Sequence, residues 1–405
     1  MHSSGSADLA LMGGHVPPWL FARMKRLSLA VVEAILEEYG HQALLSRLAD
    51  PFWFQSFGAV IGMDWNSSGV TTVVMRALRD TINPQAKELG LFVCGGKGKQ
   101  SMRTPRELLR VGELTGLDGD ALARTSKLVA KVDNTAVQDG HQLYLHSFLI
   151  SREGDWTVIQ QGMKTQDRSA RRYHWHSANV ESFVNEPHAA VCGESQGELL
   201  NLVAAAAQPT QAGILDIVQE APEKMLKEIR HLIVPKNKGI SAKDVNLKRL
   251  GSILWLAQEQ ETQHFEELLL LKGLGPRTLQ SLTLVSEVIH GTPSRFSDPA
   301  RYSLAHGGKG GTPFPVPTQV YDETITTLRT AVDRAKLQHT DKQQAIKQLT
   351  KLAQRAEGNF TPNQEFSAYI AQEKRDSWKY GGRTVDGFEQ PPQRGGQLNL
   401  FEETE

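Results

Sequence analysis

The run Leu143-Tyr144-Leu145-His146-Ser147-Phe148-Leu149-Ile150-Ser151, then Arg152-Glu153-Gly154-Asp155, then Trp156-Thr157-Val158-Ile159-Gln160-Gln161-Gly162-Met163, decides the fold class. Both flanks are rich in β-branched and aromatic residues, and the four residues between them are charged or glycine, so the stretch reads as a β-hairpin. Working outward, the pattern becomes helical on both sides. Upstream, Trp19, Leu20, Met24, Leu27, Val31, Ile35 and Leu36 recur at helical spacing, and Gly40 is expected to stop that helix. An apolar helix is expected near Thr71–Leu78 and another over Asp120–Val132. Thr104-Pro105-Arg106-Glu107 joins a capping threonine, a proline in the first turn and a glutamate three residues after the cap, all signs of a helix start. Downstream, Gln208–Pro222 is weakly patterned and marks a domain boundary. From Lys224 to about Glu357 the pattern is helical, interrupted by the glycine- and proline-rich His306–Pro317. The fold expected is therefore α+β: a mixed helical and β-hairpin N-terminal domain over 1–207, expected to be catalytic, and an all-helical domain over 208–360. A disordered tail follows over 375–405, where Pro391-Pro392 and Arg394-Gly395-Gly396 give a composition that buries no core.

The 405 residues carry a net charge of zero, with 40% hydrophobic and 22% charged residues, so the chain has enough apolar matter for real cores. A sequence pI near 7.2 excludes a basic nucleic-acid coat, and any such affinity must come from local patches. Two cysteines, Cys94 and Cys192, exclude a disulfide scaffold and an all-cysteine zinc site. No apolar run reaches membrane-spanning length and the first residues lack a secretory pattern, so the expected location is cytoplasmic and nucleoid-associated, with DNA and the sliding clamp as partners and no membrane.

Leu268 to Leu282 contains Lys272-Gly273-Leu274-Gly275-Pro276-Arg277-Thr278 and resembles a helix-hairpin-helix DNA-binding element. Two glycines permit a tight turn and leave the backbone N–H groups of the second helix open to a phosphate. Leu274 would plug the space between the helices, while Lys272, Gly273, Gly275, Arg277 and Thr278 would meet the DNA backbone. The alternative is an ordinary helical hairpin. The glycine-rich basic stretch Cys94–Lys99 lacks Walker spacing, so Lys97 and Lys99 read as backbone contacts or as part of a mobile loop. Arg168–His176 mixes cations with aromatic rings, and Arg171 and Arg172 suit single-stranded or flipped-out bases as well as they suit a solvated loop. Gln397-Leu398-Asn399-Leu400-Phe401 is similar to the peptide by which bacterial polymerases and repair proteins dock on the sliding clamp. In such a peptide Leu398, Leu400 and Phe401 supply apolar area, the last two by filling a pocket, and Gln397 sets register.

Further residues carry a wider resemblance: Trp19–Met24, Pro51–Gln55, Asp64–Thr72, Gln138–Gly140, Gln160–Met163 and Ala170–Trp175. With them the chain is similar to domain-of-unknown-function family 763 from Ala7 to about Val320, a family without an assigned activity, which implies kinship and no reaction. Asp64, Asp133, Asp139, His141, His146, His174 and His188 form the densest supply of oxygen and nitrogen ligands. Carboxylates ahead of a hairpin, with polar residues closing it, resemble metal-dependent nucleases. On that reading Asp64, Asp133, Asp139, His146 and Gln160 are catalytic, and Asp133 and Asp139 hold Mg²⁺ or Mn²⁺, although the usual acidic-x-lysine triplet is missing. The function expected is DNA repair or recombination by a deoxyribonuclease recruited by the clamp. A helix-hairpin-helix glycosylase using Asp298 and a non-catalytic DNA-binding adaptor stand beside it, and capping, turn-forming or packing roles would also account for these residues.

Overall fold

In the computed structural model, residues 16, 18–63, 69–164, 166, 169–232, 246–300, 318–335, 339–358, 383–384 and 387–388 are described. Helix α1, Pro18–Ala49, buries Met24, Val31 and Ile35, as the helical spacing predicts. It is broken at Gly40, as the sequence leads one to expect. That glycine adopts φ +79°, a left-handed geometry open to it without a Cβ penalty, and a second helical arm follows with Leu44, Leu45 and Leu48 inside. Helix α2, Pro51–Val60, starts from Asp50, whose carboxylate accepts the Trp53 N–H at 2.6 Å. Next come α3 (Gly69–Ile82), α4 (Ala86–Leu89), β1 (Leu91–Lys97), α5 (Thr104–Thr115) and α6 (Gly119–Lys131). A π-helical turn, Val132–Ala136, leads to the short β2 (Val137–Gln138). The predicted hairpin is β3 (Gln142–Ser151) with β4 (Trp156–Lys164), followed by β5 (Ser169–His176), β6 (Ala190–Cys192) and β7 (Glu198–Asn201). Then α7 (Gln208–Gln219), α8 (Pro222–Leu232), α9 (Leu247–Glu259), α10 (Phe265–Leu270) and α11 (Pro276–His290) precede β8 (Phe296–Ser297), α12 (Thr318–Arg334) and α13 (His339–Gly358).

The chain is mixed α+β with an antiparallel five-stranded sheet in the order β1-β3-β4-β5-β6. Successive strand residues face opposite sides, and both sides are covered. Phe148, Val158, Tyr173 and Trp175 pack with α5, α6, α7, α9 and α11, while Leu145, Leu149 and Ile159 pack with α1, α2, α3, α12 and α13. Antiparallel sheets usually wet one face. Here seven consecutive residues of β4, Trp156–Gly162, are buried, so polar side chains on either face must find partners inside the protein.

Three expectations change. The Cys94–Lys99 stretch is the end of strand β1 running into a 3-10 turn (Gly98–Arg103), because Cys94 to Lys97 pair with Phe148 to Leu145. Gln208–Pro222 holds helix α7, whose Ile214, Ile217 and Val218 enter the core, and is no loose boundary. The region after residue 208 is not all-helical: Phe296 pairs with Leu199, so β8 completes a three-stranded sheet β2-β7-β8. By contacts, residues 1–359 form one compact unit and residues 360–405 another. In the second, β9 (Arg383–Thr384) and β10 (Gly387–Phe388) form an antiparallel pair where the composition suggests disorder.

Candidate functional site

The Gly-Leu-Gly turn sits between two helices, α10 and α11, as its residues imply. Gly273 takes φ +93°, which only glycine adopts without strain, and Gly275 is the N-cap of α11 with extended backbone. Leu274 is buried in the core, the plug that its place between two glycines suggests. Lys272 and Arg277 are exposed on either side of the turn, and a Cβ built on Gly275 would meet nothing within 4 Å. Thr278 is buried, its N–H on the Gly275 carbonyl at 3.1 Å, which corrects its reading as a DNA contact. The turn is held from below. Lys131 of α6 donates to the Leu274 carbonyl at 2.6 Å, and the Gln138 amide donates to that of Pro276 at 2.8 Å.

Beneath it lies a buried polar chain on the same sheet face. Asp133, in the π turn, accepts from Trp175 Nε1 at 2.9 Å, from Gln160 Nε2 and from His188 Nε2. Gln160 Oε1 faces His146 Nδ1 at 2.7 Å, and His146 Nε2 faces Ser126 Oγ at 2.9 Å. Burial pushes the Asp133 carboxyl above its ordinary range and pushes His146 down to about 4, so His146 is neutral near pH 7. π turns recur at functional sites, and this one aims the carboxylate inward.

Asp139 belongs to a second cluster. It accepts the His141 N–H at 2.8 Å within its own Gly140 turn, together with the Tyr173 hydroxyl and Arg171 Nη1 at 3.0 Å. Burial opposes its charge, but His141, Arg171 and Tyr173 outweigh it and hold the carboxyl below its usual range. Arg171 is fully buried and forks onto both oxygens of Asp298 at 2.8 Å. Its neighbour Arg172 is equally buried but faces the other side, donating to Gln55 at 3.1 Å, Thr71 at 3.3 Å and His174 at 2.8 Å.

Arg171 and Arg172 are therefore corrected from surface DNA contacts to core residues, because β5 alternates between two covered faces. Lys97 and Lys99 are exposed, consistent with a surface role. Asp133, Asp139, His146 and Gln160 are all buried, and both aspartates give their oxygens to protein donors rather than to an open cavity. Among the described residues no group of three or more His, Cys, Asp or Glu is placed to hold a metal ion. Asp64 and the tail motif Gln397, Leu398, Leu400 and Phe401 lie outside the described residues. Asp298, the glycosylase candidate, is engaged by Arg171 and caps the Ala300 N–H at 2.8 Å. Ser126 goes unnoticed in the sequence; its only signal is a hydroxyl in register with the inward Ala123 and Val129 of α6.

Among the described residues no helix is long and apolar enough to cross a membrane. No curated protein and no solved structure matches the chain. The family described as "Protein of unknown function (DUF763)" matches residues 5–316, well over half of the chain, and this protein belongs to that family.

Proposed function

We propose that the protein binds DNA by its phosphate backbone through the turn between α10 and α11, without sequence preference, and serves in DNA repair or recombination. One observation carries this reading: the open N-terminus of α11 at Gly275, flanked by the exposed Lys272 and Arg277. Helix N-termini attract anions through free N–H groups and the helix dipole, and the two cations add charge. Arg103, Arg106, Arg110, Lys97, Lys99 and Lys127 are also exposed, on α5, α6, the end of β1 and the 3-10 turn after it, and offer further local cations in a neutral protein. The tail motif Gln397–Phe401 would bring the DNA-bound protein to the sliding clamp.

The test is fluorescence anisotropy with single-stranded, duplex, forked and damaged DNA over a range of salt, with and without Mg²⁺ or Mn²⁺. Binding of similar strength across sequences, falling steeply with salt, is the expected result. Metal-dependent fragments in the same samples would add phosphodiester hydrolysis, and alkali-labile sites formed without metal would add base excision. Failure of every DNA to bind at low salt would end the proposal.

A further inference from the structure

One groove lies along α6, the helix whose Lys131 holds the hairpin turn, and its polar end is the Ser126–His146 pair described above. It holds about 300 Å³ between α6, the 3-10 turn after β1 and the start of β3. Met102, Pro105, Ala130 and Leu143 make its walls, Leu145 borders it although its side chain packs on the opposite sheet face, and Ser126 and His146 are its polar end. The volume is at the lower edge of small-molecule sites, roughly 300–1,000 Å³, and apolar walls with a few convergent polar groups are their usual make-up. Lys127 stands at the rim, and Lys99 lies in the same 3-10 turn as Ser101 and Met102. Ala130, in the wall, is the residue before Lys131, whose ammonium holds the Leu274 carbonyl in the hairpin turn. Helix α6 thus lines the groove and also holds the turn that would grip phosphate.

The polar end has a defined sense. The Gln160 Nε2 group faces the Asp133 carboxylate and, at 3.3 Å, the Val129 carbonyl, both of which only accept. Its Oε1 must therefore receive the His146 Nδ1 proton, which leaves Nε2 as an acceptor for the Ser126 hydroxyl. With its proton committed to His146, Ser126 Oγ offers only lone pairs to the groove. It selects a ligand with an N–H donor.

We propose that this groove receives a nucleobase turned out of the DNA held by the hairpin, with Ser126 Oγ accepting from an amino or ring N–H group. The inference rests on the DNA-binding reading and adds a base site to it. Walls of apolar and thioether side chains cover the ring faces, as pockets for flipped bases do, while the rim cations hold the flanking phosphates. Charge complementarity favours this occupant: Lys127 is at the rim with Lys99 in the adjoining turn, and no other lysine, arginine or carboxylate lines the groove.

The experiment uses the full chain and duplex DNA containing 2-aminopurine opposite an abasic site. This base bears an exocyclic amine, and its emission rises when it leaves the stack. Protein is added until anisotropy shows all DNA bound. A rise in emission is expected with wild type, its absence with Ala130→Trp, which fills the groove, and an extrusion equilibrium constant about 3- to 10-fold lower with Ser126→Ala, the loss of one hydrogen bond. Leu143→Trp serves as a second filled groove, and circular dichroism checks that each variant is folded. Saturated binding with no rise overturns the base site and leaves the hairpin reading intact. A rise that persists in both filled-groove variants also overturns it, since the base then sits elsewhere. No binding of DNA at all overturns both readings.

Discussion

Asp298 anchors the fully buried Arg171 guanidinium, which it shares with Asp139. Taking away Asp298 strands a desolvated cation with half of its counter-charge, and breaking such a buried pair costs about 3–5 kcal/mol. Asp298→Ala is accordingly expected to lower the unfolding free energy by that amount in urea melts. A loss below about 1 kcal/mol would show that Arg171 is compensated by other groups. A second expectation concerns His146, whose buried ring is held at about 4 in the folded chain against an ordinary value of 6.5. Its folded value is depressed, so below pH 6.5 the unfolded chain binds the proton first and stability falls as pH falls, until about pH 4. The effect is on the order of 3 kcal/mol for this ring alone, and His174 and His176 are shifted the same way by burial. Comparing urea midpoints at pH 7 and pH 4.5, His146→Gln should show a shallower loss than wild type. Parallel slopes would mean that His146 is protonated in both states.

At the level of elements, the α10–α11 hairpin separates two glycines that look equivalent in sequence. Gly273 at φ +93° cannot take a side chain without strain, so its replacement confounds folding with binding. Gly275 sits at φ −136° in open space, so Gly275→Val fits the fold while a side chain crowds the Gly275 and Arg277 N–H groups at the start of α11. This variant should melt like wild type and bind DNA about ten-fold or more weakly, the scale of one charge-assisted hydrogen bond. Lys272→Ala should flatten the slope of log affinity against log salt by about one. Equal affinity and equal slope in both folded variants would leave the hairpin as mere connection. The β3–β4 hairpin was legible from residue types alone because its turn residues and alternation agree with each other. What lies against each of its faces was not, since covering both faces of an antiparallel sheet needs helices from far along the chain.

For the whole molecule, α12 and α13 are part of the fold and not an appendage. Leu328, Val332 and Leu349 are buried against α1 and α2, and Asp341 pairs with Arg23 at 2.6 Å and Arg26 at 3.2 Å. Three such side chains contribute roughly 1.5–3 kcal/mol each on burial. A chain ending at residue 317, although it retains the family match, should aggregate or melt well below the full chain; an unchanged melting temperature would contradict this packing. The tail is expected to act at a different level. Leu400→Ala with Phe401→Ala should abolish heat release against purified sliding clamp while DNA affinity stays as it was. A peptide spanning Pro391–Glu405 that neither binds the clamp nor competes with a known clamp peptide would make the match accidental.

Residue order alone determined the local geometry: the β3–β4 hairpin, the glycine turn with its Leu274 plug, and the helical periodicity of α1, α6 and α11. These follow from short-range rules of alternation, spacing and left-handed backbone, which act within a few residues. Tertiary structure alone decided the fate of the polar residues. Arg171 and Arg172 look like one basic patch until the sheet is covered on both faces and their alternation sends them into opposite cores. Asp133, Asp139 and His146 look like metal ligands until the fold surrounds them with Trp175, His188, Tyr173, Arg171 and Gln160. The reason is physical: a buried polar atom takes its role from the partner that offsets its desolvation, and those partners lie tens to more than a hundred residues away, as Asp298 does from Arg171 (separation 127).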